Sequence, residues 1–142
     1  MAITYENVVF DRIIESLNTL LADEFSIPVR YDEHKGNQSF LITPGEDELI
    51  EQASGMQVRS YNINISYEIK SGGEYTKNNM KQVSEITERL KRLLFNNAIY
   101  NVSGTNKFFN GIVESVLYGR DPEDQSILNS LTVFNCQTRE VV

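Results

Sequence analysis

The sequence has no tryptophan, one cysteine, one histidine and three prolines among its 142 residues, and each shortage closes a route. A lone Cys136 permits no intramolecular disulfide, so its expected role is that of a small buried hydrophobe. A lone His34, set in the polar run Asp32-Glu33-His34-Lys35-Gly36-Asn37, has no second histidine and no nearby cysteine with which to share a metal. Without a Ser–His pairing in sight, it reads as an exposed loop residue. No apolar run approaches the roughly 18 residues of a membrane span. The opening Met1-Ala2-Ile3-Thr4-Tyr5-Glu6 lacks the basic and apolar regions of a signal peptide, so none is expected. The Asn-x-Ser triplets at Asn37, Asn64 and Asn101 then read as composition. Positive charge is also short: thirteen Lys and Arg stand against twenty Asp and Glu, a net charge of -7. Proteins that grip nucleic acid neutralise phosphates and carry the opposite balance. Sequence-specific DNA or RNA binding is therefore disfavoured, whereas an acidic wall that repels DNA is compatible.

What is present is enough for one domain with its own core. The apolar fraction of 40% and charged fraction of 23% are those of an ordinary globular protein. Between Ser60 and Leu94 the pattern is clearest. Tyr61, Ile63, Ile65, Tyr67 and Ile69 fall on every second residue, the mark of a strand buried on one face. After Gly72-Gly73 the period changes: Met80, Val83, Ile86, Leu90, Leu93 and Leu94 make one stripe of a helix. A helix lying on a sheet follows.

Taken in order, a first helix is expected over about Tyr5 to Ala22, capped by Thr4, with Val9, Ile13, Leu17, Leu20 and Leu21 buried. Ile27 to Tyr31 reads as a short strand with Pro28 at its start or on an edge. Gln38 to Thr43 supplies a second strand, which would form a hairpin with the first. Pro44 to Gly55 carries Glu46, Asp47, Glu48 and Glu51 with no strong periodicity, and is expected to be a long acidic loop, at about residues 44–57, ordering against a partner. The third strand, Val58 to Lys70, exceeds what so small a core needs, so one end is expected to project as part of an extended hairpin. It closes at Ser71-Gly72-Gly73. The second helix starts with Asn79 as cap and Gln82 three residues on, and Glu85–Arg89 and Glu88–Arg92 are spaced as i,i+4 pairs. Ala98 to Lys107 is a polar connection. Two further strands, Phe108 to Tyr118 and Ile127 to Thr138, are joined by a turn over residues 119–125 containing Asp121-Pro122. The fourth strand is apolar on both sides, which calls for cover on both, and a neighbouring subunit is one source of it. The fold class is thus α+β: about five strands, antiparallel or mixed, with two amphipathic helices in the order α-β-β-β-α-β-β.

Chemistry is hard to find. The carboxylates cluster at Asp11 with Glu15, at Glu46 to Glu51, and at Asp121, Glu123 and Asp124, but none has a metal spacing, and the last group lacks the glycine and distal glutamate of a calcium loop. There is no phosphate-cradling glycine motif, nucleophile elbow or cysteine pair. Seven tyrosines and seven phenylalanines lack the basic interleaving of an RNA-binding sheet. No catalytic residue, metal or cofactor is expected.

The amphipathic helix Val8 to Leu21 leads into Ile27-Pro28-Val29-Arg30-Tyr31-Asp32, then Ser39-Phe40-Leu41-Ile42-Thr43-Pro44, then the alternating Arg59-Ser60-Tyr61-Asn62-Ile63-Asn64-Ile65 before the second helix. This succession, covering most of the chain, resembles the tail terminator family of tailed bacteriophages, the lambda-like proteins that cap the tail tube. The resemblance implies a non-enzymatic virion protein at the tail–neck junction, forming a homo-oligomeric ring, usually a hexamer. Its partners would be the tail tube protein, a neck or connector protein and, in a contractile tail, the sheath protein. DNA would pass through the channel without specific binding, and no membrane is involved. Helices would lie outside and sheets face the channel. The expected interface residues are Glu46, Asp47, Glu48, Leu49, Ile50 and Glu51 with Phe108, Ile112, Val116 and Tyr118. A neck or head–tail completion protein is the alternative within phage architecture. A small ligand-binding or metal-dependent hydrolytic domain using the carboxylate clusters is the alternative outside it.

Overall fold

The computed structural model describes residues 2–70, 77–121, 123 and 127–141, with the backbone alone for residues 77 and 78. A π-helical segment, Val8–Ile14, runs straight into α1 (Glu15–Glu24). Then come β1 (Val29–Arg30), β2 (Gln38–Ala53), β3 (Met56–Lys70), α2 (Lys77–Asn96), β4 (Tyr100–Val102), β5 (Thr105–Arg120) and β6 (Ile127–Val141). The strands form one six-stranded sheet in the order β1-β2-β3-β6-β5-β4. Every pairing is antiparallel except β1 with β2. The α+β class holds, with a mixed sheet and one strand more than expected. The extra strand, β4, lies in the stretch read as a polar connection. Among the described residues, no helix is long and apolar enough to cross a membrane.

Two expectations fail at the first strands. β1 does not form a hairpin with β2; it lies parallel to it, Val29 opposite Phe40 and Arg30 opposite Leu41. More consequentially, Pro44 to Gly55 is no loop. β2 continues through it to Ala53, pairs with β3 as far as Ala53 opposite Met56, and turns at Gly55, whose φ of 77° suits glycine. Two register shifts, between Pro44 and Asp47 and between Leu49 and Glu51, break the alternation that would betray a strand. Pro44 is tolerated because β1 has already ended, leaving that side of β2 unpaired. β2 and β3 do form an extended hairpin, with the supposed loop as its outer strand, but it does not project as expected: β6 flanks β3 as far as Met56 opposite Val141. The expected close of β3 at Ser71-Gly72-Gly73 and, in the last turn, Pro122, Asp124 and Gln125 lie outside the described residues.

Residues opposite one another in register share a face, so the pairings sort the sheet into two sides. One carries Phe40, Ile42, Ile63, Ile65, Tyr67, Phe134 and Cys136, all buried against the helices. The π-helical segment shifts the helical stripe so that the adjacent Ile13 and Ile14 are both buried alongside Leu17, Leu20 and Leu21. Its cap is Asn7, not Thr4: the Asn7 side chain accepts from the Phe10 amide at 3.2 Å. From α2, Val83, Leu90 and Leu94 are buried, while Met80, placed in the buried stripe by its spacing, is exposed. α2 begins before Asn79, which therefore lies inside it.

The paired charges of α2 also differ from the i,i+4 scheme. Arg89 leaves its helix to donate to Glu24 Oε1 at 2.9 Å and to the Glu24 carbonyl at 3.0 Å, over the ring of Phe25. This satisfies a helix-end carbonyl of α1 and ties the two helices together. Lys81 pairs with Glu85, and Lys91 with Glu88. Phe108, Phe134, Phe40, Phe25 and Tyr67 contribute tilted or edge-on ring contacts along the core.

Candidate functional site: an open sheet face and two free edges

Among the described residues, no helix lies on the second side of the sheet. In the middle of β3 it presents Ser60, Asn62, Asn64 and Ser66, flanked on β6 by Leu131, Val133, Asn135 and Gln137. Asn135 Nδ2 donates to Ser60 Oγ and to Asn62 Oδ1, both at 2.8 Å. Its centre is therefore an uncharged amide and hydroxyl surface whose groups bind one another across strands. On β5 the same side turns apolar, with Leu117 opposite Leu131 and Ile112 opposite Asn135.

His34 closes one end of this face, which corrects its reading as an exposed loop residue. Nδ1 lies 2.7 Å from Ser39 Oγ, Nε2 lies 3.0 Å from Ser66 Oγ, and Glu68 stands 3.8 Å away. Burial pushes the imidazole below its ordinary pKa, against the opposing pull of the Glu68 carboxylate. The run 31–37 reads as polar because its turn is, yet its one ring folds back onto the sheet.

At the root of the hairpin, charges meet on the helix-covered side. Arg59 Nη2 binds Asp47 Oδ1 at 2.8 Å. Arg12 grips Glu6 with two bonds, 2.7 and 2.8 Å, and sends Nη1 to the Arg139 carbonyl at 2.7 Å. The hydrogen bonds from Arg12 hold the Glu6 carboxyl below the usual range. These pairs fasten the N-terminal segment to β6 and the arm to β3. Cys136 is fully buried in the core as expected, and burial pushes its thiol up to about 12, which leaves no thiolate for chemistry. Among the described residues, no group of three or more His, Cys, Asp or Glu is placed to hold a metal ion.

The edges are the remaining feature. Pairing of β1 with β2 ends at Leu41, and pairing of β4 with β5 ends at Phe108. Among the described residues no strand lies beyond β2 from Ile42 to Ala53, nor beyond β5 from Ile112 to Gly119. Backbone donors and acceptors there face outward, ready for another strand. Glu46, Asp47, Glu48, Leu49, Ile50 and Glu51 all lie exposed on the β2 edge, and Ile112 and Tyr118 lie exposed on β5. Val116 is half-buried between. Phe108 is corrected: it is wholly enclosed by Tyr100 and Phe134 and offers no surface. Its neighbour Gly111, whose amide binds the Ala98 carbonyl at 2.9 Å, marks where β5 leaves β4. Beside the β5 edge runs an open groove of about 780 Å³ lined by Glu88, Arg89, Lys91, Arg92, Phe95 and Ile112 among others. Sequence reasoning missed this groove; the exposed Phe95 and Ile112 that line it belong to elements far apart in the chain.

No family model matches the chain, and no curated protein matches it.

Proposed function

We propose that the protein is a structural, non-catalytic component of a tailed-phage virion that closes with copies of itself into a ring, capping the tail tube at the tail–neck junction. The observation that carries this reading is the pair of free edges at the two ends of one sheet. A subunit with one unsatisfied edge at each end is completed by a copy on either side, and repetition of that contact closes a ring when the rotation fits. The resemblance of the sequence to tail terminators gives the ring its place.

The surfaces suit the role. With helices outward, the bare face of the sheet borders the channel. Its central amides and hydroxyls are already bonded to one another, and the chain as a whole is acidic. DNA would meet little that neutralises phosphate, and so would slide. A ring of the neck or head–tail connector would use the same two edges; the neighbour it binds, tube or connector, separates the two readings.

The test is direct. The purified chain is followed by sedimentation across a concentration series and imaged by electron microscopy, alone and with tubes assembled from the tube protein of the same genome. Closed rings, or caps on tube ends, are expected. A chain that stays monomeric throughout and leaves the tube ends bare overturns the proposal.

A further inference from the structure

We infer that Asn110 is a site of spontaneous modification, in which its side chain condenses with the Gly111 nitrogen, and that the fold holds the reaction in check until this end of the sheet opens. The inference goes beyond the ring reading and does not depend on it.

Asparagine is among the thermally labile residues. The step that limits its loss is attack by the next backbone nitrogen, which a side chain on the following residue hinders. Asn110-Gly111 is the only Asn-Gly step in the sequence, and glycine has no β-carbon to stand in the way. Asn110 is exposed, and its φ of 52° lies in the left-handed region that asparagine tolerates. The two residues fill a bulge. Phe109 lies opposite Gln137 and Ile112 opposite Asn135, so β6 offers Cys136 alone against both. The bulge sits where β5 has left β4 and begins its free edge.

The reaction balances with water as its only outside reagent. The Gly111 nitrogen bonds to Cγ of Asn110, the Cγ–Nδ2 bond breaks, and Nδ2 leaves as ammonia with the proton that Gly111 gave up. Water then opens the succinimide ring. Cleavage at Cγ leaves aspartate. Cleavage at the main-chain carbonyl leaves isoaspartate, with Cβ and Cγ now part of the backbone.

The folded chain opposes this at both reacting groups. The Gly111 amide donates to the Ala98 carbonyl at 2.9 Å, which engages the proton that must be lost. Asn110 Nδ2 donates to Gln137 Oε1 at 3.1 Å, which draws the side chain across to β6 and off its own backbone. Gly111 is also hemmed in. A β-carbon there would stand 2.8 Å from Phe134 Cζ and 3.1 Å from the Ala98 backbone, so the main chain has no room to swing into the ring geometry. Local opening at this end of β5 frees all of these together. The same crowding excludes the product. Isoaspartate lengthens the main chain where packing is already tight, and a carboxylate cannot donate to Gln137. The change is one-way, so it marks molecules that have opened.

The experiment follows the full chain by peptide mapping. Trypsin releases Phe108 to Arg120 as one peptide in which Asn110 is the only side-chain amide, so an amide-to-acid mass gain there reports this residue alone. The chain is incubated at mildly alkaline pH with and without unfolding guanidinium chloride. In the denaturant this peptide should change before any other asparagine-containing peptide. Without it the change should be slower by roughly tenfold or more, the native chain reacting only when it opens. Asn110→Gln, whose longer side chain closes poorly onto the next nitrogen, should abolish the change. Ageing in denaturant followed by refolding should lower the melting temperature of the native chain and spare Asn110→Gln. Equal rates with and without denaturant overturn the protection, and another peptide changing first in denaturant overturns the site. An aged native chain that melts like a fresh one overturns the misfit of the product.

Discussion

A β-carbon added to Gly111 would stand 2.8 Å from Cζ of Phe134. The bare backbone of β5 therefore lies flat against that ring, and the Ala98 backbone at 3.1 Å blocks retreat on the other side. Phe134 itself is fully buried and meets Phe108 edge-on. Gly111→Ala overfills a site with nowhere to move, and a loss of about 1–3 kcal/mol is expected. Urea unfolding measures it; an unchanged midpoint would mean that the ring is free to shift.

Thr132 offers a change of opposite sign. Its hydroxyl is fully buried and has no hydrogen-bond partner, whereas the neighbouring Ser130 hydroxyl meets Thr87 Oγ1 at 2.7 Å. An unmet buried hydroxyl costs about 1–3 kcal/mol. Thr132→Val keeps the shape and removes the orphan, so the variant should unfold at higher temperature, by a shift matching about 1 kcal/mol. A lower melting temperature would show that the hydroxyl has a partner after all.

The single histidine makes a pH test simple to read. His34 is held between Ser39 and Ser66, and burial favours its neutral form, so its folded pKa lies below the ordinary 6.5. A depressed folded pKa means that the contribution of His34 is fully present above pH 6.5 and declines as the pH falls below it, because the unfolded chain binds the proton more readily. The difference in stability between the native chain and His34→Gln should shrink on going from pH 7.5 to pH 5. One imidazole resonance in a proton NMR titration gives the pKa itself. A value above 6.5 would mean that Glu68 outweighs burial.

Much of the architecture was legible because it is periodic. β3, β6 and the buried stripe of α1 follow from alternation or helical spacing, since each has one face in the core. What was missed lacks that signature. The arm of β2 is exposed on both faces, so no burial imprints a period of two on Pro44 to Ala53; its pairing comes from the backbone of β3. β4 is three residues long, too short for any pattern. The placement of His34 depends on Ser66, far along the chain. The acidic residues on the edge were found by charge. The groove beside α2 was not, because its lining comes from α2 and β5, elements far apart in the chain.

The seam between β3 and β6 joins Met56 to Val141 at one end and Lys70 to Ile127 at the other. Each strand belongs to its own hairpin, β2–β3 or β5–β6, whose halves are neighbours in sequence and close quickly. Their union spans α2 and a long excursion, which costs more chain entropy than closing either hairpin, so it is expected to be the slower event. Until the two hairpins zip together, the inner margins of both lie bare beside the outer ones, and a half-made molecule offers twice as many sticky borders as a finished one. Crowded synthesis of such a chain therefore favours tangles over finished sheets unless the seam wins the race.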